Sequence, residues 1–316
     1  MATSRNLSKA KVKSRTSLSD YAPWLDELER SQASESTVVI GGHAANYWLE
    51  LYREQHEVLQ QWSPKPGRDL DILVTPKLVA DLFMKDDTYE PAATFVTDLF
   101  FFSARRFILR QRLTPLSLWF ILRAGKIAIP HADGKHALHV DFFAHSLGYH
   151  PNYVRQRAVK GEMDGNHFLV TDPVQCLWSF LANASTLHQT QGDSGPRRRI
   201  DHERTVILFH ITQIYLLELA DLSGAGDEPA RAQLAQALED LAHFLRSNPA
   251  RDQAETLGLD WQEIIPTDFF DRLGTSPSNL VEAAKKVKTV GGLEKRRHGL
   301  FPRKYPKPAP TFEASR

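Results

Sequence analysis

From Thr37 to about Val170 the chain alternates short β-branched and apolar runs with stretches of helical periodicity. TVVIGG, DLDILV, GKIAIP and HALHVDFF read as strands, while AANYWLELYREQHEVLQQW and a segment starting at Pro76 read as helices. GKIAIP and HALHVDFF flank HADGK, where Asp133-Gly134 supplies the positive φ of a tight turn, so these two strands are expected to pair antiparallel. The stretch Phe95 to Leu122 supports strand and helix equally. After NHFLV, Asp172 stands where an N-cap oxygen accepts the free amides of a new helix, with Pro173 at its first position. Leu177, Phe180, Leu181 and Ala184 then share one face, and RTVILFHITQIYLLELADL, PARAQLAQALEDLAHFLRS and NLVEAAKKVKTV carry the same period. An α/β domain over residues 35–170 is therefore expected to precede a helical domain over residues 171–295.

The two ends differ from this middle. MATSRNLSKAKVKSRTSLSD carries Arg5, Lys9, Lys11, Lys13 and Arg15 before its first acid, Asp20, so residues 1–34 are expected to be a basic, mostly disordered segment. Residues 296–316, which include PRKYPKPAPTF, read as a basic proline-rich tail that cannot sustain a helix. Contact with RNA or DNA phosphates is one use of such tails, solubility the other.

With 316 residues the chain is long enough for about two domains. Its 39 Lys plus Arg balance 38 Asp plus Glu, so no global field captures a polyanion. The single cysteine, Cys176, forms no internal bridge, which agrees with a reducing compartment. No uninterrupted apolar run reaches the roughly 18 residues of a spanning helix, and Met1 to Ser19 lacks the apolar centre of a secretory signal. A cytoplasmic protein without membrane association is expected.

Three acids carry the candidate chemistry. On a strand, period two places Asp69, Asp71 and Leu73 on one face and Leu70, Ile72 and Val74 on the other. HALHVDFF repeats the construction, with His139, Asp141 and Phe143 opposite Leu138, Val140 and Phe142. Carboxylates gathered side by side repel unless a cation compensates them, and Mg²⁺ suits an all-oxygen ligand set. If the strands are neighbours, Asp69, Asp71 and Asp141 can hold the two metals of a phosphoryl transfer. Upstream, TVVIGGHAANYW runs from a strand through Gly41-Gly42 into a helix, a geometry that exposes backbone amides to phosphate.

The order strand-GG, helix, DxD, hairpin and third Asp resembles the minimal nucleotidyltransferase fold of the DNA polymerase beta superfamily, a mixed sheet with flanking helices. Within it, VIGGHAANYWLELY, SPKPGRDLDILV and HVDFF are similar to abortive-infection AbiEii-like nucleotidyltransferase toxins, and TDPVQCLWSFLANASTL resembles the start of their helical half. The resemblance implies Mg²⁺-dependent transfer of a nucleoside monophosphate from a nucleoside triphosphate, with Asp69, Asp71 and Asp141 as catalytic metal ligands. It places Gly41 and Gly42 against the phosphates, and His43, Arg68 and Arg199 are further candidate nucleotide contacts. It also implies an acceptor hydroxyl on tRNA, on a protein or on a small molecule, tRNA being favoured, together with a role in toxin–antitoxin or phage-defence systems and a partner antitoxin. His43 stands where the family commonly has a small hydroxyl residue, and no basic residue lies near Trp178 or Phe180, a charge that Arg197, Arg198, Arg199 or Arg204 could supply.

Other readings compete. A degenerate member of the fold would bind nucleotide without turning it over. His131, His136, His139, His145 and His150 crowd one region, so a Zn²⁺ hydrolase site is conceivable, although no HExxH or Cys/His spacing is present. A non-enzymatic nucleic-acid-binding module rests on the basic ends alone.

Overall fold

The structure, a computed structural model, describes residues 11–12, 15–30, 36–75, 78, 90–91, 123–143, 151–191, 196–247, 250, 256–274 and 276–300. The helix expected from Pro76 and the stretch Phe95–Leu122 lie outside the described residues, as do residues 301–316. Two compact units divide the chain, Met1–Thr212 and Gln213–Arg316.

The first unit is built on a mixed sheet, with eight strands among the described residues: β1 (Lys11–Val12), β2 (Val38–Val39), β3 (Asp69–Leu73), β4 (Glu90–Pro91), β5 (Arg123–Pro130), β6 (His136–Phe143), β7 (Val159–Met163) and β8 (Asn166–Val170). Their order is β4-β5-β6-β3-β2-β8-β7, with β1 also pairing β6. β3 and β6 run parallel, as do β2 and β8, while β2 and β3 are antiparallel. The expected hairpin is present: β5 and β6 pair antiparallel, and Gly134 turns the chain with φ +65°.

Burial matches the alternation read from the sequence. Leu70, Ile72, Val140 and Phe142 are fully or almost fully buried, and each such side chain contributes roughly 1.5–3 kcal/mol by leaving water. On the opposite face, Leu73 and Phe143 join Val38 and Val154, the last from the helix α4 (Pro151–Arg157), in a second apolar cluster.

The segment before residue 35 departs from expectation. Instead of a mostly disordered stretch, the described part holds β1, a 3₁₀ turn at Leu18–Tyr21 and α1 (Ala22–Arg30). Tyr21, Trp24, Leu25 and Leu28 are buried, and Trp24 lies against Phe142 with ring centroids 6.4 Å apart. Thr16 exchanges backbone hydrogen bonds of 2.9 and 2.8 Å with Gly67, which fixes the segment beside β3. Basic charge dominates the first fifteen residues, yet the four apolar side chains between Tyr21 and Leu28 suffice to dock this turn and helix on the sheet.

α2 (Gly41–Arg53) and the short α3 (Glu57–Gln60) fill the span between β2 and β3. Asp172 caps α5 (Pro173–Gln191) as expected, accepting the Gln175 amide at 2.9 Å. Its carboxylate also pairs with Arg157 at 2.9 Å in a site closed to solvent. α5 packs on α2, and the Trp48 indole donates to the Thr171 carbonyl at 2.8 Å. This explains why the boundary falls not at residue 171 but inside α6 (Pro196–Gly224): the first helix after the change of period completes the α/β unit.

In the second unit, the remainder of α6 is joined by α7 (Glu228–Phe244), α8 (Phe269–Arg272) and α9 (Ser278–Leu300). α9 runs five residues past 295, the expected end of the helical domain. Trp261 donates to the Ala250 carbonyl at 2.9 Å, and Gly291 lets α9 approach the Trp261 backbone, where a Cβ would meet it at 2.8 Å. The stretch Arg199–Gly224 of α6 is long and apolar enough by composition to cross a membrane, but most of it is buried within the protein, as in a core helix.

Candidate active site

The register of β3 and β6 brings the three acids together. Asp71 pairs with Asp141 and Asp69 with His139, so side chains of Asp69, Asp71, His139 and Asp141 project from one face of adjacent strands. Parallel neighbours lie about 4.8 Å apart, well within the reach of carboxylates that share metal ions. Asp141 is buried and Asp69 and Asp71 are half-buried. His139 Nδ1 lies 3.7 Å from an Asp69 oxygen, which places it as a neighbour of the acid cluster.

The glycine turn closes on the same point. Gly41 adopts φ +65°, and a Cβ added there would lie 2.4 Å from Asp71 Oδ2. Only glycine allows this approach together with this backbone. α2 begins at Gly41 rather than near Ala44, so both glycines belong to its first turn and their amides are among those a helix leaves without internal partners. The positive end of the α2 dipole thus abuts the acids.

Arg204 supplies the cation at this turn. A Cβ on Gly42 would meet its guanidinium nitrogens at 3.0 Å. The guanidinium donates to the Lys65 carbonyl at 3.3 Å and lies 5.8 Å from the Phe180 ring centroid. Lys65 is itself anchored: its amide donates to Asn46 Oδ1 at 3.1 Å, and its ammonium pairs with Glu203 at 2.6 Å. Loop 62–68 is therefore held against the start of α2 by α6.

Arg199 and His43 are placed differently from Arg204. Arg199 is exposed on α6, and five residues of helix separate it from Arg204 by about 140° of rotation, so both cannot face α2. His43 is 1% exposed and points into the core. It meets Thr16 Oγ1 at 3.3 Å and the edge of Tyr21, with centroids 5.5 Å apart. Burial, reinforced by the nearby Arg204 charge, lowers its pKa to about 4, so it is a neutral packing residue. Arg68 is exposed immediately before β3.

Tyr21 carries no signal in the sequence, because it stands directly after a basic stretch that reads as a tail. Its hydroxyl donates to the His139 carbonyl at 3.0 Å, which ties the N-terminal segment to β6. Burial pushes its pKa far up, and the charges of Asp69 and Asp71 push in the same direction. Lys126 is a further addition, one that the hairpin register could have found: it pairs across β5 and β6 with Asp141 and forms an ion pair of 2.7 Å with Glu90. Cys176 is buried with its thiol pKa raised by that burial, so it is no nucleophile at neutral pH.

No family model and no curated protein matches this chain. Among solved structures it is similar to an antigenic nucleotidyltransferase-like protein from Paracoccidioides brasiliensis, with 12% sequence identity, a TM-score of 0.37, and coverage of 73% of this chain and 92% of that one.

Three carboxylates are an oxygen-only donor set. Opposite them stand a helix N-terminus and a guanidinium, both suited to phosphate oxygens. A cation between the two sets would be shared by carboxylate and phosphate.

Proposed function

We propose that this protein transfers a nucleoside monophosphate from a nucleoside triphosphate to an acceptor hydroxyl. The observation that carries the reading is the register of Asp71 with Asp141 beneath the Gly41 turn. In this reading the α2 amides at Gly41 and Gly42 and the Arg204 guanidinium bind and orient the triphosphate. Asp69, Asp71 and Asp141 are the residues that would hold Mg²⁺, their donor set fitting that ion. When bound, two such ions supply neutralisation of the triphosphate and a lowered pKa for the acceptor hydroxyl. The acceptor oxygen forms a bond to the α-phosphorus, the bond from that phosphorus to the bridging oxygen breaks, and pyrophosphate leaves. Glycine at 41 keeps the Asp71 carboxylate at the edge of the phosphate turn.

The acceptor we place in RNA, tRNA first, in a cytosolic toxin or defence protein with an antitoxin partner, as the resemblance to abortive-infection nucleotidyltransferases implies. The basic residues of both ends support contact with phosphates. The test is incubation of the protein with each α-labelled nucleoside triphosphate, Mg²⁺ and total cell extract. Label in RNA supports the whole reading. Label only in protein or small molecules rejects RNA as acceptor but keeps the transferase, and no label in any fraction rejects the transferase.

A further inference from the structure

The β5–β6 hairpin ends in HADGKH, and its three chemistry-bearing side chains converge. One ligand atom from each of His131, Asp133 and His136 lies within 4.8 Å of the other two. His131 Nδ1 is 3.0 Å from Asp133 Oδ1, and His136 Nδ1 is 2.7 Å from Asp133 Oδ2. Ligands of a tetrahedral Zn²⁺ stand about 3.3 Å apart when each bond is near 2.05 Å, and the two imidazoles approach different oxygens of Asp133 at slightly shorter distances.

Backbone and side chain hold this arrangement together, with Asp133 Oδ1 accepting the Lys135 and His136 amides at 2.8 and 3.0 Å. His131 donates to the His136 carbonyl at 3.0 Å, Gly134 donates to the His131 carbonyl at 3.0 Å, and Gly134 takes φ +65°. A second observation comes from another segment. His131 Nε2 faces Asp20 Oδ1 at 3.2 Å, and Asp20 is fixed in turn by the Ser17 amide at 2.8 Å. A carboxylate facing the far nitrogen is the partner found behind metal-bound histidines, and Nδ1, which accepts the Asp133 amide at 3.3 Å, faces the cluster.

We propose that the hairpin tip binds one Zn²⁺ ion through His131, Asp133 and His136, with water completing its coordination and Asp20 orienting His131. Two imidazoles and one carboxylate suit Zn²⁺ and not Mg²⁺. Asp133 and His136 are each about a third exposed in their side chains, at 36% and 37%, so a hydrated ion can enter. The His131–Asp20 contact links the site to the turn that carries Tyr21, whose hydroxyl holds β6 at His139. The site lies five residues along β6 from Asp141, roughly 17 Å at strand rise, and is independent of the acid cluster.

The experiment is calorimetric titration of the tag-free full chain with Zn²⁺ alone, then the visible spectrum of the Co²⁺-substituted protein. One ion per chain is expected, with the intense d–d bands of a four-coordinate site and a melting temperature raised by Zn²⁺. His136→Gln, at an exposed position that the fold does not need, should abolish the bands and the thermal shift. Asp20→Asn should weaken binding by about 10- to 100-fold with the stoichiometry unchanged. Asp71→Asn should bind Zn²⁺ as the unaltered chain does, whatever becomes of nucleotidyl transfer. Absence of saturable binding, survival of binding in His136→Gln, or its loss in Asp71→Asn would each overturn the proposal.

Discussion

Gly41 and Asp71 share one volume: the carboxylate Oδ2 stands where a Cβ on residue 41 would be, at 2.4 Å, and the glycine has φ +65°. Gly41→Ala therefore does two things. It forces a side chain into left-handed backbone, at a cost of about 1–2 kcal/mol, and it drives the Asp71 carboxylate away from the phosphate turn. Transfer should fall by about 100-fold, the scale of a 1 Å misplacement, while urea unfolding shows only the modest stability loss. Kinetics and denaturation on the same preparation check this.

In the proposed reading Arg204 acts through binding. Arg204→Met removes a charge-assisted contact worth about 1.5–3 kcal/mol, so KM for the triphosphate should rise roughly 10- to 100-fold, with Arg204→Lys intermediate. The same change has a readout free of catalysis. Arg204 helps to hold the His43 pKa down, so NMR titration of His43 in Arg204→Met should show a higher pKa.

His43 also sets an acid limb of stability. Its folded pKa is about 4 against 6.5 for the free side chain. Between those values the unfolded chain binds a proton that the folded chain excludes. Its contribution is full above pH 6.5 and declines as pH falls toward 4, by about 2 kcal/mol between pH 6.5 and 5. Urea midpoints across that range should show the decline, and His43→Gln should flatten it.

How much of this is legible in the sequence depends on the kind of signal. Period two places Asp69, Asp71 and Asp141 on like faces of their strands, and the register of β3 with β6 brings those faces side by side. The Asp133-Gly134 turn and the Asp172 cap are local chemistry and are legible for that reason. Tyr21 and Thr16 are not, since their contacts to His139 and Gly67 join residues far apart in sequence and no periodicity encodes them. The choice between Arg199 and Arg204 turns on which face α6 presents to α2, and that depends on packing. His43 looks like a phosphate neighbour by position, but the third residue of α2 turns inward.

The buried pair of Arg157 and Asp172 gives a stability test apart from the acids. Their side chains are 7% and 0% exposed and 2.9 Å apart. Burial raises the Asp172 pKa, and the Arg157 charge counters it. Arg157→Met leaves a buried carboxylate without its cation and should cost about 3–5 kcal/mol. Adding Asp172→Asn should recover part of that loss, because the amide oxygen still caps α5. Urea unfolding of the single and double variants measures both.

The most direct test of the central claim is transfer of α-labelled nucleotide, with pyrophosphate release measured in parallel, by Asp71→Asn and Asp141→Asn beside the unaltered protein. The account predicts that both variants fold, with circular dichroism and melting behaviour close to the parent, and that each loses transfer by about 1,000-fold or more, as expected when a group stabilising transition-state charge is removed. Transfer at the parental rate in either folded variant would contradict it.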